Sequence, residues 1–424
     1  MRSKASTLPE SLYWGTTERI CSLLTYRLAA RRQITRLSSR SVRCVDIGPL
    51  SARRRYLLRK VRHVIRWRVG VVTVIGKSWG TAQELQVSVA SDAERGAALD
   101  VKALAYVDMV GQPQAGDTVL LNTTALNLGL GTGGYAIVVA LPDRLPRDPD
   151  GPGHLVKARY TPSQMTVLGV DEQDSEHHGV LKDADDLGGM PVVVADLHSA
   201  LPAIVAGVHA SKPSARVVYL ATDGGALPIA FSQAVQGLRD AGWLHGTITV
   251  GQSFGGDLEA VTVHNGLLAA HYVLQADVVV VTQGPGNLGT GTQWGFSGVA
   301  AGEAINAAGI LGGRPIAALR VSEADERARH QGVSHHSLTA YGRVALVPAE
   351  VPIPALAGEI GALVASQVSA LAAQHQLVRV SIEGLRAALQ RSPVKLSTMG
   401  RGLDDDEAAF LASAAAGRHA ATLL

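Results

Sequence analysis

The sequence predicts an α/β protein in which a small N-terminal β-barrel or sandwich is followed by a doubly wound, mostly parallel α/β domain. Three observations predict this fold: an early stretch of short strands without helical periodicity, a later alternation of apolar runs with helical patterns, and a globular composition. The 424 residues are 46% hydrophobic, which excludes a disordered chain, and no apolar run is long enough to cross a membrane. Two cysteines cannot form a disulfide framework or a four-cysteine zinc site.

Residues 1–63 form a basic arm, expected to be disordered or absent from the native protein. Up to Trp67 the chain has 16 Lys and Arg against 3 Asp and Glu, which leaves 23 against 33 for the remainder. The arm is compatible with a basic tail for nucleic acid or a membrane surface, with a transit-peptide-like segment, or with an extension upstream of the true start. We favour the extension, with a functional chain that begins close to Val64. Nucleic acid is expected as a partner only if the arm is genuine, and no membrane partner is expected.

Residues 64–150 are predicted to be a small β domain because their apolar stretches are short and separated by turn residues. The predicted strands are Val69–Ile75, Leu85–Val89, Val101–Val107, Asp117–Leu121 and Tyr135–Leu141. Five such strands without a helical pattern are typical of a small barrel or sandwich. Residues 151–189 are predicted to be a connector that contains one or two further strands.

Residues 190–424 are predicted to be the α/β domain. Apolar, β-branched strands are predicted at Val192–Ala195, Val217–Leu220, Thr247–Val250, Val278–Val281 and Ile316–Leu319. Helical patterns lie between them at Leu201–His209, Ala230–Ala241, Leu267–Leu274 and Val299–Ile310. Continuous apolar strands that alternate with helices indicate a parallel sheet covered on both faces.

Each of these five strands leads directly into a polar or glycine-rich segment. Ligands of open parallel sheets bind beyond the carboxyl ends of the strands, so the five segments predict a binding site at that edge. Ser199 follows the first strand and Arg320 follows the last, and both are candidate substrate-binding residues.

The segment after the fourth strand is a glycine-rich loop. Its G-x-G-x-x-G pattern is a weak match to a dinucleotide fingerprint, because no helix begins directly after it. A backbone cradle for a phosphate or carboxylate is one interpretation of this loop, and a purely structural loop is the other. The candidate substrate-binding residues here are Gly284, Gly286, Asn287, Gly289, Thr290, Gly291 and Thr292.

The segment after the third strand contains G-x-S-x-G around Ser253. With Asp325 and His335 later in the chain, the order of residues fits a nucleophile elbow. The alternative is a glycine-rich turn, since Gly256 extends the loop where a helix would have to begin. Whether Ser253 is a nucleophile therefore stays open.

Two carboxylates are candidate catalytic residues or metal ligands. Asp223 and Asp257 both lie beside glycines that follow predicted strands, where a substrate could approach the backbone. The alternative for Asp223 is an N-cap of a helix that begins near Leu227, because Asp favours N-caps and Pro228 favours the first turn.

The histidines add a second group of candidates. His335 and His336 are candidate catalytic residues, and His198 and His330 are candidate metal ligands. Adjacent histidines in an extended segment project in different directions, so we do not expect both to bind one ion. The alternative is a polar loop that leads into a helix from Ser337 to Arg343, with Ser334 as its cap.

Several of these motifs together resemble a known family. They are Leu120–Ala125 with Gly129–Tyr135, Gly153–Tyr160, Thr222–Pro228, Gly255–Val261, Gln283–Gly298 and Val333–Tyr341. In this order they are similar to the bacterial domain-of-unknown-function 3866 family, over about Val64 to Leu424. The resemblance implies a bacterial, cytoplasmic protein. It implies no activity, ligand or catalytic residue.

These observations favour an enzyme, a hydrolase or group transferase, that acts on a small anionic metabolite at the strand edge. A phosphorylated or nucleotide-like compound is the substrate class we expect. The cofactor stays open, with a divalent metal ion as one candidate. The alternative is a non-enzymatic metabolite-binding or regulatory protein in which the barrel contacts a partner or RNA, although this stretch is poor in basic and stacking residues.

Overall fold

The computed structural model describes residues 65–90 and 99–424, where a closed five-stranded barrel precedes an eight-stranded parallel sheet. The interpretations of the basic arm fall outside the described residues. Within the described ranges, no helix combines the length and the apolar character that crossing a membrane requires.

The barrel is built from strands whose inward residues are apolar, such as Leu85, Val119 and Leu121, all fully buried. Its strands are β1 (Trp67–Trp79), β2 (Ala82–Val89), β3 (Leu99–Tyr106), β4 (Thr118–Asn122) and β5 (Ala136–Ala140), with the short helices α1 (Val107–Val110) and α2 (Thr124–Asn127). They close in the order β1-β2-β3-β5-β4, and only β3 and β5 pair in parallel. The five predicted strands are confirmed, and they form a barrel.

The barrel packs against the α/β part of the same compact unit. Trp79 Nε1 donates to the carbonyl oxygen of Ala230 at 2.7 Å, and Leu104 and Tyr106 share an apolar cluster with Phe231. A connecting segment then carries the antiparallel strands β6 (Leu155–Lys157) and β7 (Met165–Val167) and the short helix α3 (His178–Leu181).

The large sheet has eight strands, and all of its pairs are parallel. They are β8 (Pro191–Val194), β9 (Val217–Thr222), β10 (Gly246–Thr249), β11 (Leu258–Glu259), β12 (Val278–Gln283), β13 (Arg314–Ala317), β16 (Glu350–Pro354) and β17 (Gln376–Val380). The spatial order is β11-β10-β9-β12-β8-β13-β16-β17. The short antiparallel pair β14 (Val321–Ser322) and β15 (Gly332–Val333) follows β13.

The helices of this part lie between the strands or after β17, and the first four are close to the predicted positions. They are α4 (Leu201–Ser211), α5 (Gln233–Asp240), α6 (Val263–Tyr272), α7 (Ala300–Ile310), α8 (His335–Thr339), α9 (Gly358–Val368), α10 (Leu385–Gln390) and α11 (Glu407–Ala421). Helix α5 begins later than predicted because Ser232 caps it, with its Oγ accepting from the amide of Val235. A short 3-10 turn at Ile229–Phe231 occupies the start of the predicted helix.

Both faces of the central strands are buried in apolar clusters. On β8, Val192 and Val194 belong to one cluster, which includes Ile305 of α7, whereas Val193 belongs to another, which includes Ile204 of α4. Alternate residues of a strand point to opposite faces, so a strand covered on both faces must be apolar throughout. This explains the continuous apolar runs from which the strands were predicted.

The strand order locates a crevice at the carboxyl ends of β8 and β13. These neighbours differ in the direction of their connections, because the chain leaves β8 towards β9 and leaves β13 towards β16, on the other side of the sheet. Connections that diverge from two adjacent strands open a crevice between them, where ligands of such sheets bind.

Candidate functional site

Asp196 lies at this crevice, just beyond the end of β8. It is 2% exposed, and in the described part of the chain its Oδ2 atom has no hydrogen-bond partner. That oxygen is 3.4 Å from Nδ1 of His336 and 3.8 Å from Nη1 of Arg320. A buried carboxylate oxygen without a hydrogen bond is costly, which makes Asp196 a candidate functional group.

Arg320 approaches the same point from the end of β13. Its Nη1 atom is 3.1 Å from Nδ1 of His336, and its backbone amide donates to Ser337 Oγ at 2.9 Å. The backbone amide of Ser334 in turn donates to the Arg320 carbonyl oxygen at 2.8 Å. These bonds hold the start of α8 against the end of β13, which brings a guanidinium group and a histidine together.

His330, His335 and His336 converge next to Arg320. Ring centroids are 5.0 Å apart between His330 and each of the other two, and 4.4 Å apart between His335 and His336. The expectation that the two adjacent histidines diverge is wrong, because they are not in an extended segment. Ser334 caps α8 through its Oγ, which accepts from the amide of His336, so both histidines lie in the first helical turn.

The surroundings of the cluster keep at least two of its rings uncharged at neutral pH. Burial, reinforced by the nearby positive charge of Arg320, lowers the pKa of His330 to about 3. Burial also lowers the pKa of His335. Phe296, from the end of the glycine-rich loop, stacks on His336 with centroids 3.8 Å apart. The ring nitrogens of His330 and His335 can therefore offer a lone pair to a proton or a metal ion.

A pocket lies beside this group, lined by both strand ends and by the segment before α11. Asp196, Ser199, Arg320, Thr398 and Arg401 are among the residues that line it. Ser199 Oγ is 3.1 Å from Thr398 Oγ1, so the predicted substrate-binding residues Ser199 and Arg320 face the same pocket. The pocket provides hydroxyl and guanidinium groups that can bind an anion.

Arg401 is held in place by carboxylates. Its Nε atom donates to Asp406 Oδ2 at 3.0 Å, and its Nη2 atom is 3.4 Å from Asp325 Oδ2. The hydrogen bonds and positive charge of Arg327 hold the pKa of Asp325 well below its usual range. Arg401 is thus partly neutralised, and Arg320 is the better candidate for an anion.

The two predicted catalytic carboxylates lie elsewhere. Asp223 is exposed beyond β9, and its Oδ2 atom accepts from the amide of Gln252 at 2.9 Å. The N-cap interpretation of Asp223 is wrong, because α5 is capped by Ser232. Asp257 binds the amide of Thr247 at 2.8 Å and pairs with Arg239 at 2.6 Å. Thr247 is near the amino end of β10, so Asp257 lies away from the carboxyl edge.

The glycine-rich loop from Gly284 to Thr292 folds back on itself. The amide of Thr290 donates to Gly295 O at 2.7 Å, and the amide of Ser297 donates to Leu288 O at 2.9 Å. Asn287 Oδ1 accepts from Ser297 Oγ at 2.7 Å. Several polar groups of the predicted anion cradle are therefore used within the loop, and no helix begins directly after it. Of the other predicted residues, Gly286, Gly289, Gly291 and Thr292 are exposed, whereas Gly284 is buried.

His198 and Ser253 each have other partners. His198 Nδ1 is 3.2 Å from the Tyr219 hydroxyl and its Nε2 is 2.7 Å from Ser232 Oγ, so neither nitrogen points to His330. Ser253 is fully buried, and its Oγ donates to Leu227 O at 2.8 Å. These contacts favour the turn interpretation of the G-x-S-x-G segment.

Burial lowers the pKa of His198 from its ordinary 6.5 to about 4, which predicts a pH-dependent stability. Between these values the unfolded chain binds a proton that the folded chain excludes, so stability falls as the pH falls, by up to about 1.4 kcal/mol per pH unit. We expect the urea midpoint to fall from pH 7 to pH 5, and His198→Asn to reduce that fall. Equal falls in the two proteins would contradict the assignment.

Sequence reasoning missed Asp196 and Phe296 as parts of the site. Asp196 carried a usable signal, because it directly follows the predicted strand Val192–Ala195 and so lies at the edge where ligands bind. Phe296 had no comparable signal, since its contact with His336 depends on the path of the whole glycine-rich loop.

Comparison with known proteins gives a family but no activity. The profile of the family described as "Protein of unknown function (DUF3866)" matches residues 102–417, which is more than half of the chain. No curated protein matches the sequence of the chain.

Proposed function

Since the chain belongs to the DUF3866 family, whose description names no activity, we propose from the site alone that it is an enzyme acting on a small anionic metabolite. The reaction is hydrolysis or group transfer. The observation that carries the proposal is the meeting of Arg320, three histidines and the buried Asp196, whose Oδ2 atom has no hydrogen bond within the described residues. An anion-binding group next to a buried base and imidazoles is a typical arrangement for such chemistry.

The roles in this proposal follow from the charges. Arg320 binds the anionic group of the substrate, because a guanidinium offers several N–H donors in one plane. Asp196 acts as the general base that removes a proton from the attacking water or hydroxyl group, since its Oδ2 atom has no hydrogen bond to lose among the described residues. Ser199 and Thr398 line the pocket and position the rest of the substrate. These groups bind anions, so a phosphorylated or nucleotide-like compound is the substrate class in this proposal.

The two predicted catalytic carboxylates, Asp223 and Asp257, have a minor role in the proposed reaction or none. Asp223 lies on the loop after a neighbouring strand and is kept as a candidate contact for a larger substrate. Asp257 has no role in this proposal, because Thr247 and Arg239 occupy its carboxylate. The doubly wound arrangement is supported by the apolar clusters on both faces of the sheet, and the cytoplasmic location stays an expectation from the resemblance.

Replacing Arg320 by methionine tests the anion site. We expect the purified full-length protein to bind inorganic phosphate and to release p-nitrophenol from p-nitrophenyl phosphate. Arg320→Met should weaken phosphate binding at least about tenfold, because a hydrogen bond to a charged group contributes about 1.5–3 kcal/mol. Calorimetric titration measures the binding, and absorbance measures the turnover. The exposed Arg391 supplies the matched control, and Arg391→Met should leave both unchanged.

The same experiment separates the two functional hypotheses. Phosphate binding that depends on Arg320, without turnover of any phosphomonoester in a panel, would favour the metabolite-binding alternative. If the wild-type protein binds no phosphate, or if Arg320→Met binds it as tightly as Arg391→Met does, the proposed anion site is wrong.

A further inference from the structure

We propose that His330, His335 and His336 together bind one divalent transition-metal ion, with zinc the best fit. The proposal concerns the same site as the proposed function and names its cofactor. Metal content and turnover are measured separately, so each can fail without the other.

The first argument is the convergence of ligand atoms. Each of the three histidines offers one ring nitrogen, and these nitrogens all lie within 4.8 Å of one another. Zinc–nitrogen bonds of about 2.0–2.1 Å in tetrahedral geometry require nitrogens about 3.4 Å apart, which modest rotations of the rings would achieve. In the described ranges this is the only group of three or more His, Cys, Asp or Glu with such spacing.

The second argument is that ring nitrogens are available. His335 Nε2 is buried, and within the described residues it has no hydrogen-bond partner. His330 contacts Ser334 Oγ through Nδ1 at 2.8 Å, which leaves the Nε2 atom of the same ring for a ligand. Histidines that bind metals usually give their second nitrogen to such a partner, which fixes the orientation of the ring. An ion at this point would satisfy a buried nitrogen that is otherwise costly.

The third argument is the balance of charge. Asp196 places a buried carboxylate oxygen 3.4 Å from His336 Nδ1, and this negative charge favours a cation beside the ring. The positive charge of Arg320 opposes this effect, because its Nη1 atom lies 3.1 Å from the Nδ1 atom of His336. Three imidazole ligands and one nearby carboxylate, partly offset by a guanidinium, leave the bound ion with excess positive charge. Such an ion attracts an anionic substrate.

The set of ligands indicates which metal ion would bind and whether its role would be catalytic or structural. Imidazole ligands suit zinc, iron, copper and nickel, whereas magnesium and calcium require oxygen ligands. Three protein ligands with an open fourth position are typical of catalytic zinc, and structural sites are closed by four. When bound, the ion would supply a water molecule of lowered pKa or polarise the substrate, and Asp196 and Arg320 would act beside it.

The test is metal binding by the full-length protein and its histidine variants. After dialysis against a chelator and then against zinc chloride, we expect the wild-type protein to retain about one more equivalent of zinc than His335→Ala. Its affinity for zinc, from competition with a chromophoric chelator, should exceed that of the variant at least about tenfold. His264→Ala removes an exposed histidine of α6 and should match the wild type.

Cobalt gives a second measurement that does not depend on the alanine variant. Wild-type protein loaded with cobalt(II) should develop the visible absorption bands of a four-coordinate ion, and His335→Gln, a gentler change, should lose them. Far-ultraviolet circular dichroism checks that each variant is folded. If the wild type binds neither metal, or if both His335 variants bind zinc as the wild type does, the proposal is wrong. Zinc binding without phosphate binding or turnover would support the proposed metal site and contradict only the proposed function.

Discussion

Replacing Lys157 by methionine is expected to lower the free energy of unfolding by about 3–5 kcal/mol, because it leaves a buried carboxylate without its cation. The Lys157 side chain is fully buried, and its Nζ atom is 3.3 Å from Glu259 Oε2. It also donates to the carbonyl oxygens of Ser253 at 2.9 Å and Ala260 at 3.0 Å. Urea unfolding followed by circular dichroism measures the loss.

The surroundings of this ion pair explain the size of the effect. Glu259 also accepts from Thr249 Oγ1 at 2.7 Å and from the amide of Gly255 at 2.6 Å, so it is held in place without Lys157. Burial lowers the pKa of Lys157 and raises the pKa of Glu259, and each charge opposes the shift of the other.

A matched exposed pair provides the control. Lys182 lies 3.8 Å from Asp183, with side chains 56% and 88% exposed, so Lys182→Met should change stability by no more than about 0.5 kcal/mol. Adding Glu259→Gln to Lys157→Met should recover part of the loss, since the uncompensated charge is then removed. A loss below about 1 kcal/mol in Lys157→Met would refute the buried ion pair.

Replacing Gly417 by alanine should destabilise the protein by about 3 kcal/mol, although alanine is the better helix former. Gly417 lies in α11, which packs on α4 with its backbone very close. A Cβ atom at Gly417 would lie 1.9 Å from the carbonyl oxygen of Ile204, and one at Gly207 would lie 2.0 Å from that of Ala414. The two helices would have to separate, and thermal or urea unfolding would register the cost.

Gly179 is the matched control for this prediction. It lies in α3, and a Cβ atom there would meet no atom of the described ranges within 4 Å, so Gly179→Ala should be neutral or slightly stabilising. Equal stability of the Gly417→Ala and Gly179→Ala proteins would mean that α4 and α11 are not in close contact.

The strands were the most predictable part of the fold. Runs such as Val192–Ala195 and Val278–Val281 could be recognised because both of their faces are buried, which leaves no polar position to interrupt the pattern. The spatial order of the strands could not be predicted in the same way. Neighbours such as β8 and β12 are far apart in the chain, and their pairing depends on how the helices pack.

The candidate site was predictable only in outline. Asp223, Asp257 and Arg320 all follow predicted strands. However, β11 pairs with β10 in a register that places Asp257 beside Thr247, away from the carboxyl edge of the sheet. Pairing register is a property of two segments, so the pattern of one segment cannot supply it.

The sequence alone determined which part of the chain is a small β domain and which is a mostly parallel α/β domain, and that its polar and glycine-rich segments follow the strands. Local burial dictates these features, and burial leaves a periodic pattern in the residues themselves. The tertiary structure decided that His330, His335 and His336 meet beside Asp196, with Phe296 stacked on one of them. Three separate segments contribute to that meeting, and only the packed chain sets the distances between them.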